Sequence, residues 1–160
     1  MTTGSLKALV CGASQGIGEA VAQTLAQEGY KVVLLARNER KLDAVLSALP
    51  GEGHKQIAVD LADHQELHSR IYEELESGPI HVLVNNAGGP KAGPLLLAQK
   101  DEFLKGFDEH ILVAHLLAQM VVPGMKEAQY GRIINIISTS VKVPLGNLGV
   151  SNTVRGAMAN

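Results

Sequence analysis

Residues 12–18 read Gly12-Ala13-Ser14-Gln15-Gly16-Ile17-Gly18, and they join an apolar run, Ala8-Leu9-Val10-Cys11, to apolar positions at Ile17, Val21 and Leu25 that recur with helical spacing. A strand that feeds a helix through a glycine turn admits few folds. Helix N-termini carry backbone N–H groups without partners and a partial positive charge, so a chain that reaches one through residues lacking side chains forms a cradle for a pyrophosphate. Glycines also gather at ordinary turns and helix ends for backbone reasons. The strand before and the helix after make this junction a dinucleotide-binding signature, and a bound dinucleotide is the first expectation.

Further along, short runs rich in Val, Ile and Leu alternate with helical patterns, and the runs lack the every-second-residue alternation of strands with one wet face. Strands are therefore expected at 7–11, 31–36, 55–59, 80–85 and 132–137, each covered on both faces. Helices are expected at 17–28, 39–49, 63–76 and 101–126, the last with a break near Pro123. Gly29 stands where a helix C-cap favours a left-handed residue, and Asp63 with Glu66 makes a capping-box-like start. This alternation predicts an α/β chain with a doubly wound parallel sheet, and 160 residues without linker, repeat or low-complexity tract fit one domain over 1–160. Past Gly149 the apolar positions Val150, Val154 and Ala157 open another helix, in which the chain reads as truncated.

Composition narrows the partners. A formal net charge of −2 gives no basic field, and 3% aromatic residues with no Trp leave little for bases to stack on, so nucleic acid is not expected. The apolar stretch 111–125 is interrupted by His115, Gln119 and Pro123, and the apolar run near the N-terminus is short, so neither a membrane span nor an export signal is predicted. The single cysteine, Cys11, falls in the first apolar run, where it reads as a core thiol suited to a reducing cytoplasm. No spacing of His, Cys and carboxylates predicts a metal site.

Three further motifs follow the glycine loop in order: Asp60-Leu61 after the third strand, Asn85-Asn86-Ala87-Gly88 after the fourth, and Gly131-Arg132-Ile133-Ile134-Asn135-Ile136 leading to Ser138. Taken singly, Asp60 reads as a helix start and Asn86-Ala87-Gly88 as a turn. In this order the chain resembles the first two thirds of the short-chain dehydrogenase/reductase family, and closely its 3-oxoacyl-acyl-carrier-protein reductases. The resemblance implies a Rossmann-like sheet in the order 3-2-1-4-5, C-terminally incomplete relative to the family, with the cofactor over the carboxyl edge where strands one and four part. Gly12 then permits the tight turn, Gly16 close approach to phosphate and Gly18 helix–sheet packing, with Ser14, Gln15 and Ile17 completing the loop. Asp60 is implied to accept from the adenine amino group, Leu61 to donate a backbone N–H beside it, and Asn86, Ala87 and Gly88 to line the adenosine ribose.

Cofactor choice is legible after the second strand, where an NAD site places a carboxylate on the ribose hydroxyls. Here the residues are Ala36, Arg37 and Asn38. Arg37 offers a permanently charged fork suited to a 2′-phosphate, and Ser14 and Asn38 can add hydrogen bonds. NADP(H) is therefore expected over NAD(H), although Gln15 departs from the basic residue often found there in NADP-preferring relatives.

Carbonyl reduction also needs a hydrogen bond that polarises the carbonyl and an acid for the developing alkoxide. The resemblance assigns the first to Ser138, and it places a Tyr and a Lys where this chain has Ser151 and Arg155; no Tyr-x-x-x-Lys occurs. An aliphatic hydroxyl is a far poorer acid than a phenol, and Arg155, a guanidinium that does not give up its proton, relays none, although it can hold ribose hydroxyls or an oxyanion. The family's asparagine falls on His110, which titrates near neutrality if unperturbed and so stands as a surrogate acid, beside the plainer reading of a helix histidine bonded within the core. Together these residues predict an NADP(H)-dependent oxidoreductase acting on a small-molecule or acyl-carrier-bound carbonyl. The alternative is a protein that keeps the cofactor and has lost turnover. Ile111, Leu112, Leu116 and Leu117 give the long helix an apolar stripe, through which the resemblance implies a homodimer or homotetramer, beside the plainer reading that the same residues cover the sheet, which some of them must do.

Overall fold

The computed structural model describes residues 6–160. Its elements run β1 (Lys7–Cys11), α1 (Gly16–Gln27), β2 (Lys31–Ala36), α2 (Glu39–Ala48), β3 (Lys55–Ala58), α3 (His64–Glu76), β4 (Val82–Asn85), α4 (Lys100–Phe107), α5 (Val113–Glu127), β5 (Arg132–Asn135) and α6 (Gly149–Ala159). All strand pairs are parallel, and the sheet order is β3-β2-β1-β4-β5. The strands match the expected positions but for one to two residues at the ends of β3, β4 and β5.

The continuous apolar runs follow from burial on both faces. In β1, Leu9 and Cys11 face one side with Leu67 and Ile71 of α3 and Leu117 and Val121 of α5. Ala8 and Val10 face the other, with Ala22 and Ala26 of α1 and Leu42 and Val45 of α2. Cys11 is buried, and desolvation pushes its thiol up to about 12, only partly opposed by a backbone hydrogen bond at Asn86, so it behaves as a small core hydrophobe. Gly29 closes α1 at φ 83°, and Asp63 caps α3 by accepting from Glu66 N at 3.0 Å.

Two expectations are corrected. The long helix does not break at Pro123; α5 passes through it, because Pro123 and Gln119 both lie on the exposed side, where water serves the carbonyl that loses its donor. The irregularity lies earlier, in a π-helical segment (Asp108–Leu112) between α4 and α5 that turns His110 inward. Nor is β5 covered on both faces: Arg132 to Asn135 are all exposed, Ile133 at 42% and Ile134 at 46%. Of the proposed contact stripe, Leu117 is fully buried against the sheet, while Ile111 and Leu116 are half-buried and Leu112 is exposed.

Candidate cofactor and active site

β1 lies between β2 and β4, so the chain leaves the sheet in opposite directions after β1 and β4 and opens a crevice at their carboxyl ends. Gly12 takes φ 60° and Gly16 φ 59°, the left-handed region that glycine enters without cost. A Cβ on Gly12 would lie 2.7 Å from the Asn86 carbonyl oxygen, whereas one on Gly16 would meet nothing within 4 Å and project into open space. The first glycine therefore serves chain packing and the second leaves room for a ligand. Gln15, the N-cap of α1, is extended and makes no side-chain cap, so the helix offers its first N–H groups toward the crevice without a competing side chain. These features fit a dinucleotide pyrophosphate.

A cleft of about 870 Å³ runs from this cradle along the sheet edge, and its wall includes Gly12, Ser14, Gln15, Gly16, Ile17, Arg37, Asn38, Asp60, Leu61, Asn86, Ala87 and Gly88. Gly18 lies beneath it, packed on the Gly12 carbonyl. Two side chains are occupied otherwise than the sequence suggested. Asn86 Nδ2 donates to the carbonyls of Cys11 (3.2 Å) and Gly12 (3.4 Å), tying the end of β4 to the glycine turn. Asn38 Oδ1 caps α2 by accepting from Lys41 N at 3.0 Å, which leaves its amide N–H groups for a ligand. Asp60 accepts from Ala62 N through Oδ1 and stands 3.7 Å from Arg37 through Oδ2, an exposed and therefore weak ion pair.

The four candidate catalytic residues do not line that cleft. Ser138, just past β5, accepts from Ser140 N at 3.1 Å, so its hydroxyl proton stays free to donate. Ser151 and Arg155 lie one turn apart on α6 and both are buried. Arg155 Nη1 donates to the Ile136 carbonyl at 2.8 Å and Nη2 to the Ala87 carbonyl at 3.4 Å, so the guanidinium staples α6 to the carboxyl ends of β5 and β4. His110 shares with Arg155, Asn85 and Met158 a separate space of about 10 Å³, the size of one water molecule.

The expected near-neutral acid at His110 is not met. Burial and the adjacent Arg155 charge push its pKa down to about 4, against a backbone hydrogen bond at Gly88 that pulls it up. An unfolded histidine protonates near 6.5, so His110 contributes no pH penalty above that value and destabilises the fold as pH falls toward 4. The loss at pH 5 is on the order of 2 kcal/mol. Urea unfolding of His110→Asn at about pH 8 and pH 5 should show a shallower pH dependence than wild type; identical slopes would refute a buried neutral imidazole.

Residues missed from sequence also line the cleft, among them Lys41, Lys91, Glu102 and Lys105. Lys41 carried a usable signal: it follows the N-cap Asn38 by one helical turn, which faces it back toward the end of β2.

Comparisons with known proteins place the chain in a family. A family model described as short chain dehydrogenase matches residues 6–158. The chain is 35% identical over 144 residues to a very-long-chain 3-oxoacyl-CoA reductase of Anas platyrhynchos, covering 86% of this chain and 46% of that protein. It is 35% identical over 151 residues to the 3-oxoacyl-(acyl-carrier-protein) reductase FabG of Staphylococcus epidermidis, covering 92% and 61%. The chain thus spans about half the length of these curated relatives. A metagenomic short-chain oxidoreductase solved in complex with NADP superposes with a TM-score of 0.88 at 33% identity, over 96% of this chain and 72% of that one.

Proposed function

Because the chain belongs to the short-chain dehydrogenase/reductase family, we propose that it holds NADP(H) in the cleft above the sheet's carboxyl edge and passes hydride between the nicotinamide and a carbonyl or alcohol, of 3-oxoacyl type. The observation that carries this reading is the continuity of one cleft from the Arg37–Asp60 pair, past the glycine cradle, to Asn86–Gly88. The bound cofactor supplies the hydride donor or acceptor. Arg37 meets the 2′-phosphate, the open N-terminus of α1 meets the pyrophosphate, and Ala87 and Gly88 bound the ribose. Ser138 stands outside the wall of that cleft, and its free hydroxyl proton would serve a carbonyl oxygen brought to it, favouring charge developing there.

Proton delivery is the weak step, since Ser151 is a poor acid, Arg155 keeps its charge and His110 is neutral at pH 7. This favours a second reading, a cofactor-holding protein without turnover: Arg155 is committed to two backbone carbonyls. In either case the exposed Leu112 with its half-buried neighbours Ile111 and Leu116 supplies a contact for a homodimer or homotetramer.

Fluorescence titration with NADPH, with NADH as competitor, tests the cofactor. NADPH should bind at least about tenfold more tightly, a difference of about 1.4 kcal/mol, and Arg37→Ala should remove most of it. Equal affinities in wild type would overturn the NADP(H) assignment. Carbonyl-dependent NADPH oxidation, tried over small ketones and 3-oxoacyl thioesters, then separates the two readings: turnover supports the first, and tight binding with none supports the second.

A further inference from the structure

Lys41 sits in the first turn of α2, its backbone N–H fixed by the Asn38 cap, and its Nζ reaches across to donate to Gln15 Oε1 at 2.6 Å. The two residues lie 26 positions apart. Gln15 is neutral, and among the described residues no carboxylate forms a salt bridge with Lys41, so this ammonium enters the cleft wall with its charge uncompensated. Arg37, from the end of β2, lines the same cleft and is 72% exposed, held only by the long contact to Asp60. Glu39 and Arg40, the neighbours in that turn, do not line it. Two cations directed to one wall repel each other in the absence of a ligand and gain together when a dianion lies between them.

We infer that Lys41 is the second cation of the 2′-phosphate site, delivering from α2 the positive charge that Gln15 does not supply from the glycine loop. This rests on the NADP(H) reading and adds to it a specificity residue that lies outside both the glycine motif and the end of β2. The ligand group is a phosphate monoester on a ribose 2′-oxygen. Lys41 meets it as a compact point charge and Arg37 as a planar fork, so the two are complementary rather than redundant.

The experiment compares wild type, Lys41→Gln and Lys41→Arg by NADPH fluorescence titration, with NADH, 2′-AMP and 5′-AMP as competitors, at low and at physiological salt. Lys41 is exposed and Gln15 is its only side-chain partner among the described hydrogen bonds, so the substitutions leave the core untouched. Lys41→Gln should weaken NADPH and 2′-AMP about tenfold and leave NADH and 5′-AMP within about twofold. Its NADPH affinity should also respond less steeply to salt than that of wild type, and Lys41→Arg should recover most of the loss. Unchanged NADPH and 2′-AMP affinities in Lys41→Gln, with wild type still preferring NADPH, would overturn the role of Lys41 alone. A wild type that binds NADH as tightly as NADPH would overturn the NADP(H) reading beneath it.

Discussion

Glu74→Ala is expected to cost about 3–5 kcal/mol of stability, the usual consequence of removing one partner of a buried ion pair. Glu74 lies in the last turn of α3, and its carboxylate accepts from Lys7 Nζ at 2.7 Å and from Lys55 Nζ at 2.9 Å; its side chain is 6% exposed and that of Lys7 11%. Burial pushes this carboxyl up, yet the hydrogen bonds from Lys55, Lys7 and the Ser77 hydroxyl together hold it below its ordinary value. Removing it strands the Lys7 ammonium beside the Ser77 hydroxyl and the Gly78 carbonyl, which are acceptors without formal charge. The loss therefore falls toward the lower end of the range. Urea denaturation of Glu74→Ala should report it undiminished by salt, because a buried pair is poorly screened. A double change, Lys7→Met with Glu74→Leu, should recover much of the stability, since apolar groups of similar volume replace such pairs well. A single variant as stable as wild type would show that the pair is solvated.

The position of this pair separates two ends of the sheet. Lys7 opens β1, so the pair clamps α3 to the amino edge, where the Lys7 N–H also donates to His81 Nδ1 at 3.0 Å before β4. The cofactor cleft lies at the opposite, carboxyl edge. Loss of Glu74 is thus expected to lower stability while NADPH affinity per folded molecule stays unchanged.

Much of this arrangement was legible because its causes are local. The runs at β1 and β2 announce burial on both faces, Gly29 and Asp63 mark helix ends through backbone chemistry confined to one turn, and the glycine loop states its own geometry. What stayed hidden depends on contacts distant in sequence. Ile133 and Ile134 read as core, because an apolar residue carries no record of whether anything covers it; they stand exposed on an edge strand. Leu117 faces the sheet and Leu112 does not, because five helical residues set them on different sides of the axis, and the π-helical segment that turns His110 inward is announced by no periodicity. Arg155 has the charge and spacing to meet a ribose, yet its guanidinium turns to the carbonyls of Ile136 and Ala87, which the fold brings to it from just past the ends of β5 and β4. Lys41 reaches Gln15 only because α2 returns along β2.

The glycine loop yields the second large effect. At Gly18 a methyl group would run into the Gly12 carbonyl, with the Gly12 carbonyl carbon at 2.7 Å and Asn86 Nδ2 at 2.9 Å. Neither backbone atom can rotate away, and Asn86 is already bound to Cys11 and Gly12, so α1 must lift off the turn. Overpacking of well-packed cores costs about 1–3 kcal/mol, and contact with backbone rather than a flexible side chain puts Gly18→Ala at or above about 3 kcal/mol. The same displacement moves the N–H groups of Gly16 and Ile17 that are proposed to meet the pyrophosphate, so NADPH binding should weaken at least about tenfold, or about 1.4 kcal/mol. Gly16→Ala supplies the contrast. Its methyl meets no atom of the protein, so the cost is the left-handed backbone alone, about 1–2 kcal/mol, while the group projects into the space where phosphate approaches. NADPH affinity should therefore fall in both variants and stability mainly in Gly18→Ala. If Gly18→Ala instead melts with wild type and binds NADPH normally, α1 does not pack on the glycine turn as described; if Gly16→Ala binds normally, the pyrophosphate does not approach that glycine.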